Sequence, residues 1–429
     1  MSVDVLDPAK KVAERASRLT SSAPDWLRSR RHDALERYLS APLPERPRTP
    51  LRPRRLDAIP VWEPGAAPMT TDALPEEARG ASVVVTNGRL ALGELPPSWR
   101  DAGVSVVPLE TPGDADQLLV ARHLGSGRGD GTTERFTALN DALWSGGVLI
   151  HVPRGVRLTE PLTVLEWVGA DAGGVFPRVL LAADQASECS VVELLAGAPA
   201  DAHRVLVSSV VEVVAGPAAV VRYSAIQQLP PGAEAFLRRD AVVARDAVVE
   251  WNTVEFGAAL SVSGHRAVLG EPGGRMKSVT VFFGSGGQHQ DYTAAVEHVG
   301  PHTASDILAR GVMRDRARSI FTGESAIRKG AVRTDARQKE QTLMLSDSAR
   351  ADAIPSLIIE DNDVFASHSA SAGPVEAGVL YYLESRGIPE REAERLVVHG
   401  FLEPVVSQIH LPTVRDWVRR LVDVKLGWV

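Results

Sequence analysis

The chain has 429 residues, with 47 Lys and Arg against 54 Asp and Glu, a formal net charge of −7, and 44% hydrophobic residues. That apolar content excludes a disordered chain, and the length suffices for one large core or two to three smaller ones. A single cysteine, Cys189, excludes an intrachain disulfide framework, a zinc finger and any cluster held by this chain's own thiolates alone.

No basic-then-apolar leader and no 18-residue uncharged apolar run is found, so the expected compartment is the cytoplasm, with no membrane span. The first 55 residues are net basic, yet Leu19, Trp26, Leu27, Leu35, Tyr38 and Leu39 recur among the arginines at helical spacing. Amphipathic helices with solvated Arg faces account for this, and no nucleic-acid partner is expected.

Residues 8–40 read as two helices broken by Ser21-Ser22-Ala23-Pro24, followed by a Pro/Arg-rich extended linker from Pro42 to Pro53. Residues 60–150 mix short strands (82–86 and 104–108) with a helix near 115–124. The Gly-rich loop at 125–131 separates that helix from the segment 136–143. It lacks a GK[ST] ending, so it is no phosphate-binding P-loop, and Arg128-Gly129-Asp130 within it is a coincidence of three residues.

From about Val148 short β-branched runs follow one another: 179–182, 191–194, 205–214, 220–226, 241–243, 248–253, 278–283 and 357–359. Turn-like segments precede the runs that open near Val191, Val220 and Val248. So regular a spacing without intervening helices predicts stacked coils of a β-solenoid rather than a sandwich. After Pro374 the chain turns helical. Val375, Val379, Tyr382 and Leu383 share one face, and Gly387 ends that helix. Ala393, Leu396, Val397 and Phe401 mark a second helix, and Leu411, Val414, Trp417, Val418, Leu421 and Val422 a third. Such helices either cap an open solenoid end or dock a partner.

Cys189 lies in a strand-like run with no Lys, Arg or His beside it in sequence, the setting of a buried structural thiol. His289, Asp291, His298 and His302 are of types that either bind a divalent metal or form structural hydrogen bonds. Gly300-Pro301 argues against a helix presenting His298 and His302 together, whereas His289 and Asp291 share a strand face. His368, between the last strand and the C-terminal helices, is on its own more often structural than a ligand. Asp335, Glu340, Glu360, Asp361 and Asp363 keep open a carbohydrate-active β-helix with an acid/base pair. A stand-alone iron or flavin carrier is a further alternative.

One ordered series of motifs is more specific. It runs Gln288-His289-Gln290-Asp291-Tyr292-Thr293, Arg310-Gly311, Phe321-Thr322-Gly323, Thr334-Asp335-Ala336-Arg337-Gln338, Leu343-Met344-Leu345-Ser346, Ile354-Pro355-Ser356-Leu357, Glu360-Asp361-Asn362-Asp363-Val364 and Ser367-His368. With Phe136-Thr137-Ala138-Leu139-Asn140, Val152-Pro153-Arg154-Gly155-Val156 and Ser385-Arg386-Gly387-Ile388-Pro389, this closely resembles the SufB/SufD family of Suf iron–sulfur cluster assembly scaffolds over about residues 136–402. Trp26-Leu27-Arg28 resembles the N-terminus of SufD members.

The resemblance implies a mainly β fold, a right-handed parallel β-helix flanked by N- and C-terminal helical regions. It divides the chain into a helical arm and linker (1–60), a mixed α/β region (61–147), a β-helix core (148–370) and a helical ATPase-docking region (371–429). It implies a non-enzymatic SufD-type subunit that pairs with a SufB-type subunit and docks a SufC-type ATPase, with a homodimer left open. A SufB-like or undifferentiated scaffold is the alternative within the family. It also implies that His368 is an iron or cluster ligand at the subunit interface and that Trp417, Val418 and Leu421 dock the ATPase. No cofactor is then tightly bound by this chain alone; transient iron or a nascent Fe–S cluster is shared with a partner. The chain departs from the family's Cys-Ser-His-Gly pattern, having Ala366-Ser367-His368-Ser369, and lacks SufB-type cysteines near 350–368.

Overall fold

A computed structural model describes residues 8–21, 23–46, 48–61, 80–126, 134–198 and 204–428. Most of the Gly-rich loop, Arg128-Gly129-Asp130 included, lies outside the described residues.

Helices α1 (Pro8–Ser21) and α2 (Asp25–Ser40) flank Pro24 as the sequence predicts. Their arginines are not all solvated, however. Arg31 is buried, donating to the carbonyls of Ala142 at 3.2 Å and Trp144 at 2.8 Å, and Arg15 is buried against Val61 and Gly174 carbonyls. A guanidinium has five donors, so it can end several exposed backbone acceptors at once, which corrects the expectation of a purely solvated basic face. The Pro/Arg-rich linker is likewise docked rather than free: Thr49 and Leu51 are buried, and Arg52–Arg54 forms a single helical turn.

Next come β1 (Val83–Thr86), β2 (Arg89–Leu92), α3 (Pro97–Asp101), β3 (Ser105–Pro108), α4 (Asp114–His123) and α5 (Glu134–Leu143). The solenoid then begins with β4 (Val148–Val152), β5 (Leu162–Val168), β6 (Gly174–Val175), β7 (Arg178–Ala183) and β8 (Glu188–Gly197). It continues through β9 (Val205–Ala215), β10 (Val220–Gln228), β11 (Ala233–Val243), β12 (Val248–Glu255) and β13 (Leu260–Leu269). Then follow β14 (Arg275–Gly284), β15 (His289–His298), β16 (Ala304–Met313) and β17 (Arg318–Ile327). β18 (Thr334–Met344), β19 (Arg350–Ile359) and β20 (Val364–Pro374) complete it.

These strands alternate between two sheets. One has the order β2-β1-β5-β8-β10-β12-β14-β16-β18-β20, the other β19-β17-β15-β13-β11-β9-β7-β4-β3, with β6 against β9. From β5 to β20 every pairing is parallel and in register, the signature of a parallel β-solenoid. Identical registers stack side chains into rows: Cys189, Val221, Val249 and Met276 are successive partners along one such row. All four are buried, and this accounts for the β-branched character of the early coils.

One corner of the coil repeats a single device. Ala186, Ala218, Asp246, Gly273, His302 and Arg333 all have positive φ. Each donates its N–H one coil onward, to the carbonyls of Pro217, Arg245, Pro272, Pro301, Val332 and Asp363 respectively. A left-handed residue reverses the chain within one position, and the inter-coil hydrogen bond offsets its steric cost. Only one of the six is glycine, so the corner carries no glycine signature in the sequence.

At the far end lie α6 (Ala377–Ser385), α7 (Glu390–Val406) and α8 (Pro412–Leu426). α7 packs against β14 and β16, and α8 packs against α7, so that Val398, Leu402, Val405, Trp417 and Val418 share one buried core with Val281, Phe283 and Val312. Asp423 of α8 ties the two helices together, accepting from Arg395 at 2.6 and 2.9 Å and lying 2.8 Å from His399.

Candidate functional site

Both sheets end at the same place. β19 and β20 are the edge strands of the last coil, each paired on one side only. Where earlier coils bury nearly every residue, these two are exposed along much of their length, Ile358, Ile359 and Phe365 included. α6, which follows directly, buries none of its residues and leaves Val379, Tyr381 and Tyr382 exposed, the last two by 74% and 56%. Two open sheet edges beside an apolar surface form a template for strand pairing with another chain, a liability that monomeric proteins usually cover.

His368 lies in this end. It is exposed and pairs in register with Gln338 of β18. Inward and outward positions alternate along β18, with Ala336, Gln338, Glu340 and Thr342 buried and Arg337 and Lys339 exposed. Parallel in-register strands share that alternation, so His368 continues the inward row at the mouth of the solenoid. Below it the Gln338 amide lies 2.7 Å from Ser325 Oγ. Glu340, also on the inward row, accepts a 2.5 Å hydrogen bond from Thr342, and burial pushes its carboxyl up to about 7.

The other candidate histidines have structural partners. His289 and Asp291 do share a face of β15, and the docked linker engages both. The Thr49 hydroxyl donates to Asp291 Oδ2 at 2.5 Å and lies 2.9 Å from His289 Nε2, and Arg46 pairs with Asp291 at 2.6 Å. His298, at the other end of β15, is fully buried, with its ring nitrogens 2.8 Å from Thr303 Oγ1 and 2.9 Å from Ser305 Oγ. Burial holds His289 and His298 down to about 4. His302 is the left-handed corner residue described above. Among the described residues no group of three or more His, Cys, Asp or Glu side chains is placed to hold a metal ion. Cys189 is buried in its apolar row, and that burial pushes the thiol up to about 12.

The acidic residues have partners of their own as well. Glu360 and Asp361 cap the preceding turn, Glu360 meeting Arg328 at 3.0 Å and Asp361 accepting the Gly330 N–H at 3.1 Å. Asp335 is held by Arg337 on the outer face, whereas Glu340 faces the interior. Asp363 lies 3.8 Å from Arg333.

Trp417 and Val418 are buried in the chain's own core. In the isolated chain the apolar stripe of α8 is thus taken up by its own core, shared with α7. Leu421, only partly buried, sits beside Val424 and Lys425 on a cavity of about 570 Å³ against the turn at 285–288. Exposed apolar side chains of the C-terminal region are gathered on α6 (Val379, Tyr381 and Tyr382), with Leu396 of α7, Val424 of α8 and Trp428 exposed as well.

Sequence reasoning missed a charged cluster inside the solenoid. Arg239 meets Glu255 at 3.4 Å and Glu193 at 3.7 Å, and Ser263 donates to Glu255 at 2.7 Å. Burial, reinforced by neighbouring Glu193, pushes Glu166 well above the usual carboxylate range. The available signal was the presence of Glu at inward positions of otherwise apolar strands.

Among the described residues no helix is long and apolar enough to cross a membrane. Residues 167–401 match the family model for the SufBD core domain of SUF-system FeS cluster assembly. The chain is 30% identical over 416 residues to the iron–sulfur cluster assembly protein SufD of Bacillus subtilis, covering 94% of each. It is 29% identical over 278 residues to SufB of the same organism, covering 65% of this chain and 60% of SufB. A SufBD family protein of Staphylococcus saprophyticus is 30% identical over 275 residues, covering 64% of this chain and 59% of that protein.

Proposed function

Because this chain belongs to the SufB/SufD family of iron–sulfur cluster assembly proteins and is most like SufD, we propose that it works as the SufD-type subunit of a cytoplasmic SufB–SufC–SufD complex. In this reading it is a non-enzymatic scaffold that pairs with a SufB-type subunit through the open end of its solenoid. The observation that carries the reading is that β19 and β20 leave both sheets unpaired at one end, with His368 in the last strand. A partner solenoid that adds its own strands there extends both sheets and covers Ile358, Ile359 and Phe365 in one step. His368 then lies inside the junction. Neutral imidazole is a competent iron ligand, and the partner brings the thiolates that this chain lacks.

The SufC-type ATPase docks on the C-terminal region, with the exposed face of α6 as its contact rather than the buried stripe of α8. ATP-driven movement of that region reaches the junction because α6 follows β20 after only two residues. Coupling requires the ATPase to hold two arrangements of the junction with different affinity. Co-expression with SufB-type and SufC-type subunits tests the assembly. A stable three-component complex supports the reading, and a chain that purifies alone with stoichiometric metal or flavin returns it to a stand-alone carrier.

A further inference from the structure

The cavity of about 570 Å³ beside Leu421 lies between α8 and three successive turns of the solenoid, those that follow β10, β12 and β14. Small-molecule sites span about 300–1,000 Å³, are mostly apolar and carry a few placed polar groups. Here Leu229, Phe256 and Ala258 of the turns face Leu421 and Val424 of α8 across the cavity. The turns are locked by their own hydrogen bonds. Gln288 Nε2 donates to the carbonyls of Gly257 and Ala258 at 3.0 and 2.8 Å, and its Oε1 accepts from the Ser285 N–H at 2.9 Å. Gln227 Oε1 accepts from the N–H groups of Leu229 at 3.0 Å and Gly257 at 2.8 Å.

Two side chains on the lining keep unused donors. Lys425 Nζ donates to Gln288 Oε1 at 2.6 Å and to Ser285 Oγ at 3.1 Å, which leaves one of its three N–H groups. Among the described residues no carboxylate ion-pairs with it; Asp315, which attracts it from further off, accepts the Gly286 N–H at 2.7 Å. Burial without a counter-charge holds the ammonium down to about 8. Gln228 lines the same cavity, and its Nε2 is buried with no hydrogen-bond partner among the described residues. A buried cation without an anion and a buried donor without an acceptor are both costly, and a ligand that supplies the two relieves both costs.

We propose that this cavity binds a small apolar monocarboxylate, with Lys425 pairing with its carboxylate, Gln228 donating to the same ligand, and its apolar body covering Leu229, Phe256 and Leu421. Lys425 is the one cation among the described lining residues, which matches a single negative charge rather than a phosphate dianion. Because the cavity joins α8 to the solenoid turns, the bound acid fastens the C-terminal helices to the coils.

The test is calorimetric titration of the full chain with 4-phenylbutyrate and with its neutral counterpart 4-phenyl-1-butanol, with melting temperatures measured alongside. Wild type should bind the acid with a Kd below about 1 mM, as a ligand of this size does in a matched pocket. The alcohol should bind about tenfold or more weakly. Lys425→Met, which keeps the chain length and removes the charge, should lose about tenfold for the acid and little for the alcohol. Leu421→Trp, which fills the cavity, should lose both. No binding of the acid to wild type at millimolar concentration, or equal binding of acid and alcohol, overturns the proposal. A lowered melting temperature in Lys425→Met with unchanged affinity for the acid makes the lysine a structural tether and overturns it too. Full affinity in Leu421→Trp overturns the location.

Discussion

Gln338 and His368 are register partners on the last two strands of one sheet, so the imidazole sits on the row of side chains that lines the solenoid's interior. Only thirty residues separate them, one coil of the chain, yet one is buried and hydrogen-bonded and the other is exposed. The difference is that β18 has a strand on each side and β20 has one. Whatever covers β20 buries His368 as earlier coils bury Gln338.

Edge pairing is open to disruption from the side that faces no neighbour. Ile359 is 47% exposed at the end of β19. Ile359→Lys should leave folding of the isolated chain within about 0.5 kcal/mol of wild type, as surface substitutions do. It should abolish co-purification with the SufB-type subunit, because a buried ammonium at the junction has no partner. Retained pairing on size-exclusion chromatography contradicts the edge-to-edge arrangement.

Trp417 distinguishes packing from docking. Its indole is buried in the core that α7, α8 and the solenoid share, so Trp417→Ala should destabilise the isolated chain by about 3–5 kcal/mol in a denaturant melt. A docking residue would instead lower ATPase binding with stability unchanged. Tyr381→Ala on exposed α6 should show that second pattern.

His298 makes stability fall on acidification. Burial depresses its folded pKa to about 4, below the ordinary 6.5, so between those values the unfolded chain binds a proton that the folded chain does not. Its contribution is fully present above about pH 6.5 and is lost as pH falls toward 4, with a slope approaching about 1.4 kcal/mol per pH unit for one proton. His298→Gln, which cannot titrate, should flatten the unfolding free energy over that window. An unaltered slope shows that the ring is not buried as described.

Glu166 acts in the opposite direction. Burial beside Glu193 raises its folded pKa well above 4.5, so the folded chain holds a proton that the unfolded chain has released. Stability contributed by the protonated carboxyl is therefore lost as pH rises from about 4.5 toward the folded value. Glu166→Gln should raise the denaturation midpoint at pH 8 relative to wild type and narrow that difference at pH 5. Equal midpoints at both pH values contradict the account.

The early coils were legible because their rows are apolar: the runs at 191–194, 220–226 and 248–253 all fall within strands β8, β10 and β12. Strands β15 to β18 were not, since polar residues there are satisfied by partners far along the chain. Thr303 meeting Thr334 at 3.0 Å is one such pair. Amphipathic spacing marked the apolar stripe of α8 but left open whether the chain's own core or a partner covers it; in the structure the chain's own core does. His368 emerged only through a family resemblance. Glu340 was visible as a carboxylate, but its place on the same inward row as His368 exists only in the register of two strands, which no local pattern encodes.

The central claim is that His368 is an iron or cluster ligand at a junction formed by this open end. Iron and acid-labile sulfide counted anaerobically on the purified SufB–SufC–SufD-type complex test it most directly, comparing wild type with His368→Ala. The account predicts an intact complex with its iron and sulfide content largely lost. A His368→Ala complex that carries the wild-type content contradicts it.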